Sequence, residues 1–152
     1  MSDYSLTTFG ESGELTQVRH ALTAVGRGET MVGIRARNGI VIAAEKKLPS
    51  ILMDETSVHK IDNLCEYMGV GYSGIGPDFQ AVLLKARKDI QVYHARYQDR
   101  ITPFMLCKQV ADLFQEYTQS GGVRPFGIGM IVGGYDEEQG PQIFQIEASG
   151  TF

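Results

Sequence analysis

Two short runs joined by Asn38-Gly39 place the strongest constraint on the fold of this chain. Residues 31–37 (MVGIRAR) alternate in character, and residues 40–44 (IVIAA) are apolar at every position. An Asn-Gly pair between two strand-like runs is the strongest short-range signal of a β-hairpin, because both residues tolerate the positive φ angles of a tight turn. A strand without a polar face is typical of a sheet covered on both sides. We therefore predict a hairpin that lies inside the molecule.

The segment before the hairpin predicts an amphipathic helix. Its apolar positions recur at helical spacing and would bury one face: Leu15, Val18, Ala21, Leu22 and Val25. We expect Ser12 or Gly13 to cap the start of this helix, and Gly26 and Gly28 to end it. The strand signals begin only after it, so the helix is expected to lie outside the sheets.

The rest of the chain predicts short strands on either side of two long helices. The predicted strands cover residues 51–53, 64–72, 127–135 and 143–146, and residues 58–61 open the element that follows the first of them. One helix is expected from Pro77-Asp78 to about Tyr97, and the next is capped by Thr102 and ends near residue 120. The buried stripe of the first helix is predicted to be Phe79, Val82, Leu83, Ala86, Ile90, Tyr93 and Tyr97. Strands, two consecutive helices and strands again favour an α+β fold of two antiparallel sheets.

The first 21 residues resemble the N-terminal signature of proteasome alpha subunits, approximately Y-x-x-x-x-T-x-F-S-P-x-G-x-L-x-Q-V-E-Y-A. The positions that match are Thr7, Phe9, Gly13, Leu15, Gln17, Val18 and Ala21, with Tyr4 close to the first tyrosine. The blocks SILMDETSVHKI, YSGIGPD, EYTQSGGVRPFG and FQIEASG resemble the same family, so the resemblance covers nearly the whole chain.

The resemblance implies the αββα sandwich of N-terminal-nucleophile hydrolases, in one domain spanning 1–152. Within it, 1–25 would be the gate tail and helix, 30–72 the strands of a first sheet, 78–119 the helix pair, and 126–152 the strands of a second sheet. That fold continues in the family past the position of Phe152, so we expect the subunit to be incomplete at its C-terminal end. A sheet without its second helical layer would expose a broad apolar face.

Catalytic relatives of the family use an N-terminal threonine whose own amine is the base, assisted by a lysine and an aspartate. Counted from Gly39, the nucleophile position falls on Glu29, and Thr30 comes one residue late. Glu45 occupies the aspartate position, and Lys60 matches the lysine if one residue is deleted. No catalytic residue is therefore expected. An active threonine hydrolase remains the rival interpretation, and a mature N-terminus at Thr30 would favour it.

Lys60 has another role by resemblance. In alpha subunits a lysine in the matching context lines pockets between neighbouring ring subunits, where it pairs with the terminal carboxylate of an activator tail. Gly74 and Ile75 match the loop that forms the pocket wall. An ammonium suits a mobile carboxylate, because it is a point charge with few orientational demands. From the residues alone, Lys60 would be a solvated lysine at a strand start.

Three departures fall in the gate region of the signature. Gly10-Glu11 replaces the family Ser-Pro, Arg19-His20 replaces Glu-Tyr, and Ser2 stands at the strict position of the first tyrosine. The family uses that proline and those tyrosines in a cluster that holds the gate open. The gate and signature residues in this chain are Tyr4, Thr7, Phe9, Gly13, Gln17 and His20.

Other site classes are weakly indicated. Residues 69–74 (GVGYSG) match the G-x-G-x-x-G dinucleotide fingerprint, but the next helix starts too late and carries Asp78 where a phosphate would sit. The histidines and cysteines show no metal-site spacing, and no cofactor is expected. A net charge of -4 without a basic run argues against nucleic-acid binding. No apolar run of spanning length or targeting signal is evident in the sequence.

The sequence therefore predicts a non-catalytic structural and gating subunit of the proteasome alpha ring. Its expected partners are neighbouring alpha subunits, the beta ring and the C-terminal tails of regulatory-particle ATPases or other activators, in the cytoplasm and nucleus. The second alternative is an interaction module derived from an alpha-type gene, which a native-mass measurement would separate from a ring subunit.

Overall fold

A computed structural model describes residues 8–48 and 50–152 of the chain. Its helices are α1 (Thr16–Gly26), α2 (Gly76–Tyr97) and α3 (Pro103–Gln119), with a short 3₁₀ turn at Glu55–Ser57. Its strands are β1 (Met31–Arg35), β2 (Ile40–Ala44), β3 (Ile61–Cys65), β4 (Met68–Gly74), β5 (Ile128–Asp136) and β6 (Gly140–Ile146). The β1–β2 hairpin forms one antiparallel sheet, and the other has the order β3-β4-β5-β6. The α+β fold with two antiparallel sheets is confirmed.

The grouping of strands into sheets differs from the prediction. Residues 30–72 do not form one sheet, because β3 and β4 join β5 and β6 while β1 and β2 pair only with each other. Strand β4 pairs with β5 along its whole length, from Met68 opposite Gly134 to Gly74 opposite Ile128. Helices α2 and α3 connect these two strands and return the chain to the neighbouring position in the sheet.

One face of the four-stranded sheet carries the main core. Alternate residues of β5 point to this face, where they meet α2 and α3. The fully buried side chains shared by sheet and helices include Val70, Phe79, Leu83, Leu106, Phe114, Ile128, Met130 and Val132. Tyr72 stacks on Phe79 with ring centroids 4.1 Å apart, which ties the end of β4 to the first turn of α2.

The opposite face of the four-stranded sheet is covered by α1 and the β1–β2 hairpin. Glycines on this face let the covering side chains approach closely. A Cβ at Gly133 would lie 2.8 Å from Ile40, and one at Gly71 would lie 2.5 Å from the Met31 sulfur. Val25 of α1 lies over Gly129 in the same way.

The hairpin is present, but Arg35 and not Arg37 stands opposite Ile40, and neither Asn38 nor Gly39 has the positive φ expected of a tight turn. The prediction that both faces of the hairpin are covered is wrong. Ile40, Ile42 and Ala44 face the four-stranded sheet, whereas the alternate positions point outward. Ile34 is 62% exposed and its cross-strand partner Val41 is 65% exposed. Within residues 8–48 and 50–152 nothing packs over this surface. The hairpin therefore presents a continuous apolar face to solvent.

Both long helices begin as predicted, because their start signals are local. Pro77 and Asp78 lie in the first turn of α2, and the Thr102 hydroxyl caps α3 by accepting a hydrogen bond from the Met105 N–H at 3.2 Å. Tyr97 departs from the predicted buried stripe, since it lies in the last turn of α2 and is 58% exposed.

The predicted strand at 51–53 is wrong. Ile51 is fully exposed, and the Met53 N–H donates to the Ser50 carbonyl at 3.1 Å, so these residues form a turn. The polar residues on either side direct the backbone. The Ser50 hydroxyl accepts from the Leu52 N–H, and the Asp54 carboxylate accepts from the Thr56 N–H at 2.9 Å.

Two further boundaries differ from the prediction. The single strand expected at 64–72 is a hairpin, because the chain turns at Glu66-Tyr67 and β4 runs back along β3. Neither Ser12 nor Gly13 caps α1. Leu15 is its N-cap, and no side chain caps it.

The carboxylate of Asp78 links α2 to the loop that leads into β5. It accepts hydrogen bonds from both terminal nitrogens of Arg124, at 2.7 and 2.8 Å, and from the Gly127 N–H at 3.0 Å. Burial alone would raise the pKa of Asp78, but these donors outweigh burial and hold that pKa below its ordinary value of 3.8. The sequence pattern predicted that Asp78 lies near the positive N-terminal end of a helix, but it did not indicate that Arg124 is its partner.

Replacing Asp78 with Asn should lower the free energy of unfolding by about 1–3 kcal/mol, because the Arg124 guanidinium and the Gly127 N–H lose a charged acceptor. The folded-state pKa is lowered, so the pair stabilises the fold above the ordinary pKa and loses this effect as the pH falls through the folded value. Urea unfolding at several pH values would measure both effects. The control Asp89→Asn, which breaks an i,i+4 pair with half-exposed Lys85, should cost less than about 0.5 kcal/mol. Equal losses in the two variants would contradict the assignment.

The outward face of the hairpin gives a second prediction. The protein alone should bind a hydrophobic dye such as ANS, and replacing Ile34 and Val41 with Thr should reduce the dye fluorescence without lowering stability. Threonine keeps the β-branched shape and strand preference while removing apolar surface. Leu84→Thr on the exposed side of α2 is the control for a single apolar side chain. Unchanged fluorescence in the hairpin variant would show that this face does not bind the dye.

Candidate functional site

Lys60 lies immediately before β3, next to the end of β4. Its carbonyl accepts a hydrogen bond from the Tyr72 N–H at 3.3 Å, which extends the β3–β4 pairing by one residue. The ammonium lies 4.6 Å from the centroid of the Tyr72 ring, a distance at which the ring face attracts a cation. Only 11% of the Lys60 side chain is exposed. Lys60 is therefore a largely covered lysine, unlike the solvated residue that its strand-start position alone would suggest.

The partner of the Lys60 ammonium is the carboxylate of Glu29. The two groups form a hydrogen-bonded ion pair between residues that are far apart in the sequence, and the Glu29 side chain is 27% exposed. The hydrogen bond from Lys60 is the main reason why the pKa of Glu29 lies below its ordinary value of 4.5. From the sequence, Glu29 was notable only because it stands where catalytic relatives have their nucleophile. No local pattern indicates that it pairs with Lys60.

The loop between α1 and β1 brings Glu29 to this position. Any side chain at Gly28 would collide with the Ser73 hydroxyl and the Gly74 backbone nitrogen, so only glycine lets the loop lie against β4. The Ser73 hydroxyl donates to the Val25 carbonyl at 3.2 Å, and the Gly28 N–H donates to the same carbonyl at 2.9 Å. The loop is therefore held by its backbone as well as by the ion pair.

Gly74 and Ile75 lie at the same end of the sheet as Lys60. Gly74 has a φ of 110°, a conformation that favours glycine, and the Ile75 N–H donates to the Gly127 carbonyl at 3.0 Å. The structure thus brings together the three residues predicted to form a tail pocket. Their role in binding stays a prediction.

A cavity of about 360 Å³ adjoins Glu29 on the side of α1. Its walls come from the α1–β1 loop, the start of β1 and the neighbouring strands β4, β5 and β6. Polar groups of Glu29, Ser73 and Gln145 line it together with apolar side chains. The site therefore consists of a covered ammonium, its carboxylate partner and an adjoining pocket of mixed polarity.

The residues at the catalytic positions of the family are not assembled into one group. The Glu45 N–H donates to the Thr30 carbonyl at 2.8 Å, so these two residues are neighbours through the backbone. The Glu45 carboxylate pairs with exposed Lys47 at 3.3 Å, whereas the Lys60 ammonium pairs with Glu29. This arrangement neutralises Lys60 and leaves it without a contact to a hydroxyl nucleophile.

The signature residues that the structure describes lie at and before α1. Phe9 forms an isolated antiparallel bridge with Leu15 and is 75% exposed, and Gly13 turns the chain between them with a φ of 79°. Gln17 is half-buried and His20 is exposed on α1. Tyr4 and Thr7 lie outside the described residues.

The G-x-G-x-x-G match is explained by packing. Gly71 faces Met31 and Ile42 of the hairpin, and the strand that carries it is joined to β3 by a turn and lies antiparallel to β5. A Rossmann unit requires parallel strands connected through a helix. Gly71 therefore accommodates the hairpin, and Gly74 permits the close approach of Gly127.

The buried thiol and the metal-ligating side chains of the described residues give no indication of a further functional site. Burial raises the pKa of the Cys107 thiol to about 12, so Cys107 is an inert core residue. No cluster of three metal-ligating side chains occurs in residues 8–48 and 50–152. Over the same residues, no helix has the length and apolar character needed to cross a membrane.

A model of the proteasome subunit family matches residues 25–152. The chain belongs to the proteasome subunit family. It is 54% identical over 149 residues to proteasome subunit alpha type-2 of Oryza sativa subsp. indica, covering 98% of this chain and 63% of that protein. Over the same coverage it is 54% identical to proteasome subunit alpha type-2-A of Arabidopsis thaliana. It is 47% identical over 153 residues to proteasome subunit alpha type-2 of Dictyostelium discoideum, covering 99% of this chain and 65% of that protein.

These similarities confirm the resemblance to alpha-type subunits and extend it to alpha type-2 in particular. The chain spans about 63% of the length of the rice and Arabidopsis relatives. The N-terminal helix and the Lys60 region both fall inside the matched length, since the alignments cover 98% of the chain.

The ion pair in this proteasome-family chain gives a prediction for titration. In an NMR titration of the side-chain carboxyl carbons, Glu29 should titrate below its ordinary pKa of 4.5, and Lys60→Gln should move its midpoint upward. The sign follows from the loss of the ammonium that favours the charged carboxylate. The control Lys85→Gln, which breaks an exposed pair with Asp89, should leave the Glu29 midpoint in place. An unchanged Glu29 midpoint in Lys60→Gln would contradict the ion pair.

Proposed function

We propose that the chain is a non-catalytic structural and gating subunit of the proteasome core alpha ring, which helps to control substrate entry and docks activators in ubiquitin-dependent protein degradation. The observation that carries the proposal is the placement of Lys60, Gly74 and Ile75 at one end of the sheet in a chain 54% identical to proteasome subunit alpha type-2. The grouping of these residues supports a shared site for the terminal carboxylate of an activator tail.

The residues at the nucleophile position support a non-catalytic role. Threonine catalysis of this kind needs a free α-amine on the nucleophile itself. Glu29 precedes Thr30 in the chain, so Thr30 has a peptide nitrogen in place of that amine. The lysine that could assist the reaction is paired with Glu29. A proteolytic role would thus require both a new N-terminus and a different partner for Lys60.

The Lys60 ammonium supports the docking role because its surroundings favour a carboxylate partner. It already binds one carboxylate, from Glu29, and the Tyr72 ring covers part of its remaining surface. Ile75 is 37% exposed and offers apolar surface at the same end of the sheet. A peptide terminus that combines a carboxylate with an apolar side chain matches these two features.

The proposed partners follow from the family. Neighbouring alpha subunits and the beta ring would cover surfaces of this chain, and the C-terminal tails of regulatory-particle ATPases or other activators would reach Lys60. The outward hairpin face formed by Ile34, Val41 and Val32 is an apolar surface that favours burial. We place this assembly in the cytoplasm and nucleus.

Replacing Lys60 with Gln should weaken binding of a synthetic activator-tail peptide to assembled particles about two- to thirtyfold, since a partly exposed carboxylate–ammonium pair contributes about 0.5–2 kcal/mol. The free-acid peptide should lose affinity, whereas its C-terminal amide should bind both particles equally. Binding should be measured by fluorescence anisotropy in particles in which the tail pockets of the other subunits are disabled.

The control for this experiment is Lys85→Gln, which removes an exposed lysine from α2. Native mass spectrometry should show all three particles with the same ring composition, because Lys60 lies at the edge of the sheet and outside the main core. Equal affinity of wild-type and Lys60→Gln particles for the free-acid peptide would refute tail docking at this lysine.

A further inference from the structure

We infer that Glu29 is the resident carboxylate of the Lys60 site, which an incoming carboxylate must displace in order to bind. The inference rests on the proposed function, and it assigns to Glu29 the control of affinity at that same site. The unliganded site is therefore closed by a group of the chain itself.

The first argument is the lack of room for a second carboxylate at the ammonium. The Lys60 side chain is 11% exposed, one side of its ammonium lies over the Tyr72 ring, and another is bonded to Glu29. Two carboxylates at one ammonium would also repel each other. An incoming carboxylate therefore gains the Lys60 contact only when Glu29 leaves it.

The second argument is that Glu29 can leave without unfolding its surroundings. Its side chain is 27% exposed, so the released carboxylate can be hydrated. The loop that carries it is held independently, through the hydrogen bonds to the Val25 carbonyl and the close contact of Gly28 with Gly74. A change of side-chain rotamer at Glu29 is sufficient to open the site.

The third argument is that the pair is a poor candidate for a purely structural role. The Tyr72 ring beside the ammonium is held independently by its stacking on Phe79, and the loop keeps its backbone contacts when the ion pair is removed. Lys60 itself is largely covered, but the Glu29 side chain is 27% exposed, so water can take the place of this carboxylate at the ammonium. Its effect should therefore be larger on ligand affinity than on folding.

The test measures binding of the synthetic activator-tail peptide, both as the free acid and as its C-terminal amide. Three kinds of assembled particle are compared: wild type, Glu29→Gln, and the double variant Glu29→Gln with Lys60→Gln. Glu29→Gln keeps the shape of the side chain but removes the competing charge. The free acid should bind Glu29→Gln particles about two- to tenfold more tightly than wild type. The amide should bind equally, and the gain should vanish in the double variant.

Glu66→Gln is the matched control, because it removes one negative charge from the turn at the far end of β3. If it tightens binding as much as Glu29→Gln does, the effect is one of net charge and the inference is wrong. Glu29→Ala should give the same gain, and it replaces Glu29→Gln if the latter assembles poorly.

The two proposals fail in different ways. If Lys60→Gln weakens binding of the free acid but Glu29→Gln leaves it unchanged or weaker, tail docking stands and the displacement by Glu29 is refuted. If wild-type particles and every variant bind the acid and the amide equally, docking at Lys60 is refuted, and the role of Glu29 is refuted with it.

Discussion

The carboxylate of Asp78 connects the helical layer of the molecule to the edge at which the candidate site lies. It accepts hydrogen bonds from both terminal nitrogens of Arg124 and from the N–H of Gly127. The carbonyl of the same Gly127 accepts the Ile75 N–H at 3.0 Å. Gly127, just before β5, is thus held through its N–H by the first turn of α2 and through its carbonyl by the residue after β4. Because Ile75 and Gly74 belong to the candidate site, the position of that site depends on a buried carboxylate outside it.

The two faces of the four-stranded sheet pack in different ways. Toward α2 and α3 it presents large side chains such as Met130 and Val132, which fill the space between sheet and helices. Toward the hairpin it presents Gly71 and Gly133, which let hairpin side chains approach the backbone. The hairpin therefore contributes its own apolar residues to a second, thinner layer. Its outer surface is left with Ile34 and Val41, whose burial requires another surface.

Local signals in the sequence predicted local structure well. Thr102 and Pro103 act within a few residues, and the helix they predict is present. The hairpin predicted at Asn38-Gly39 is also present, although its strands pair with Arg35 opposite Ile40 and not with Arg37 there. The sequence could not show which strands share a sheet, because that depends on the path of the chain through α2 and α3. It predicted from the apolar run 40–44 that both faces of β2 are covered, yet hydrophobicity indicates only a preference for burial and does not identify the covering surface. The family motif located Lys60, but its partner Glu29 is 31 residues away and carries no local signal.

The pairing of Lys60 with Glu29 changes what the site can select. An unpaired, exposed ammonium would attract any nearby anion, and long-range attraction would be screened by salt within about 8 Å at physiological ionic strength. A paired ammonium has little net charge to attract a ligand, so a carboxylate must bring further contacts in order to replace Glu29. Under the proposed function, Ile75, which is 37% exposed at the same end of the sheet, would supply such a contact to an apolar neighbour of the carboxylate. If Glu29 competes as proposed, the site would require a terminus that combines charge and apolar surface, and a charge alone would not be enough.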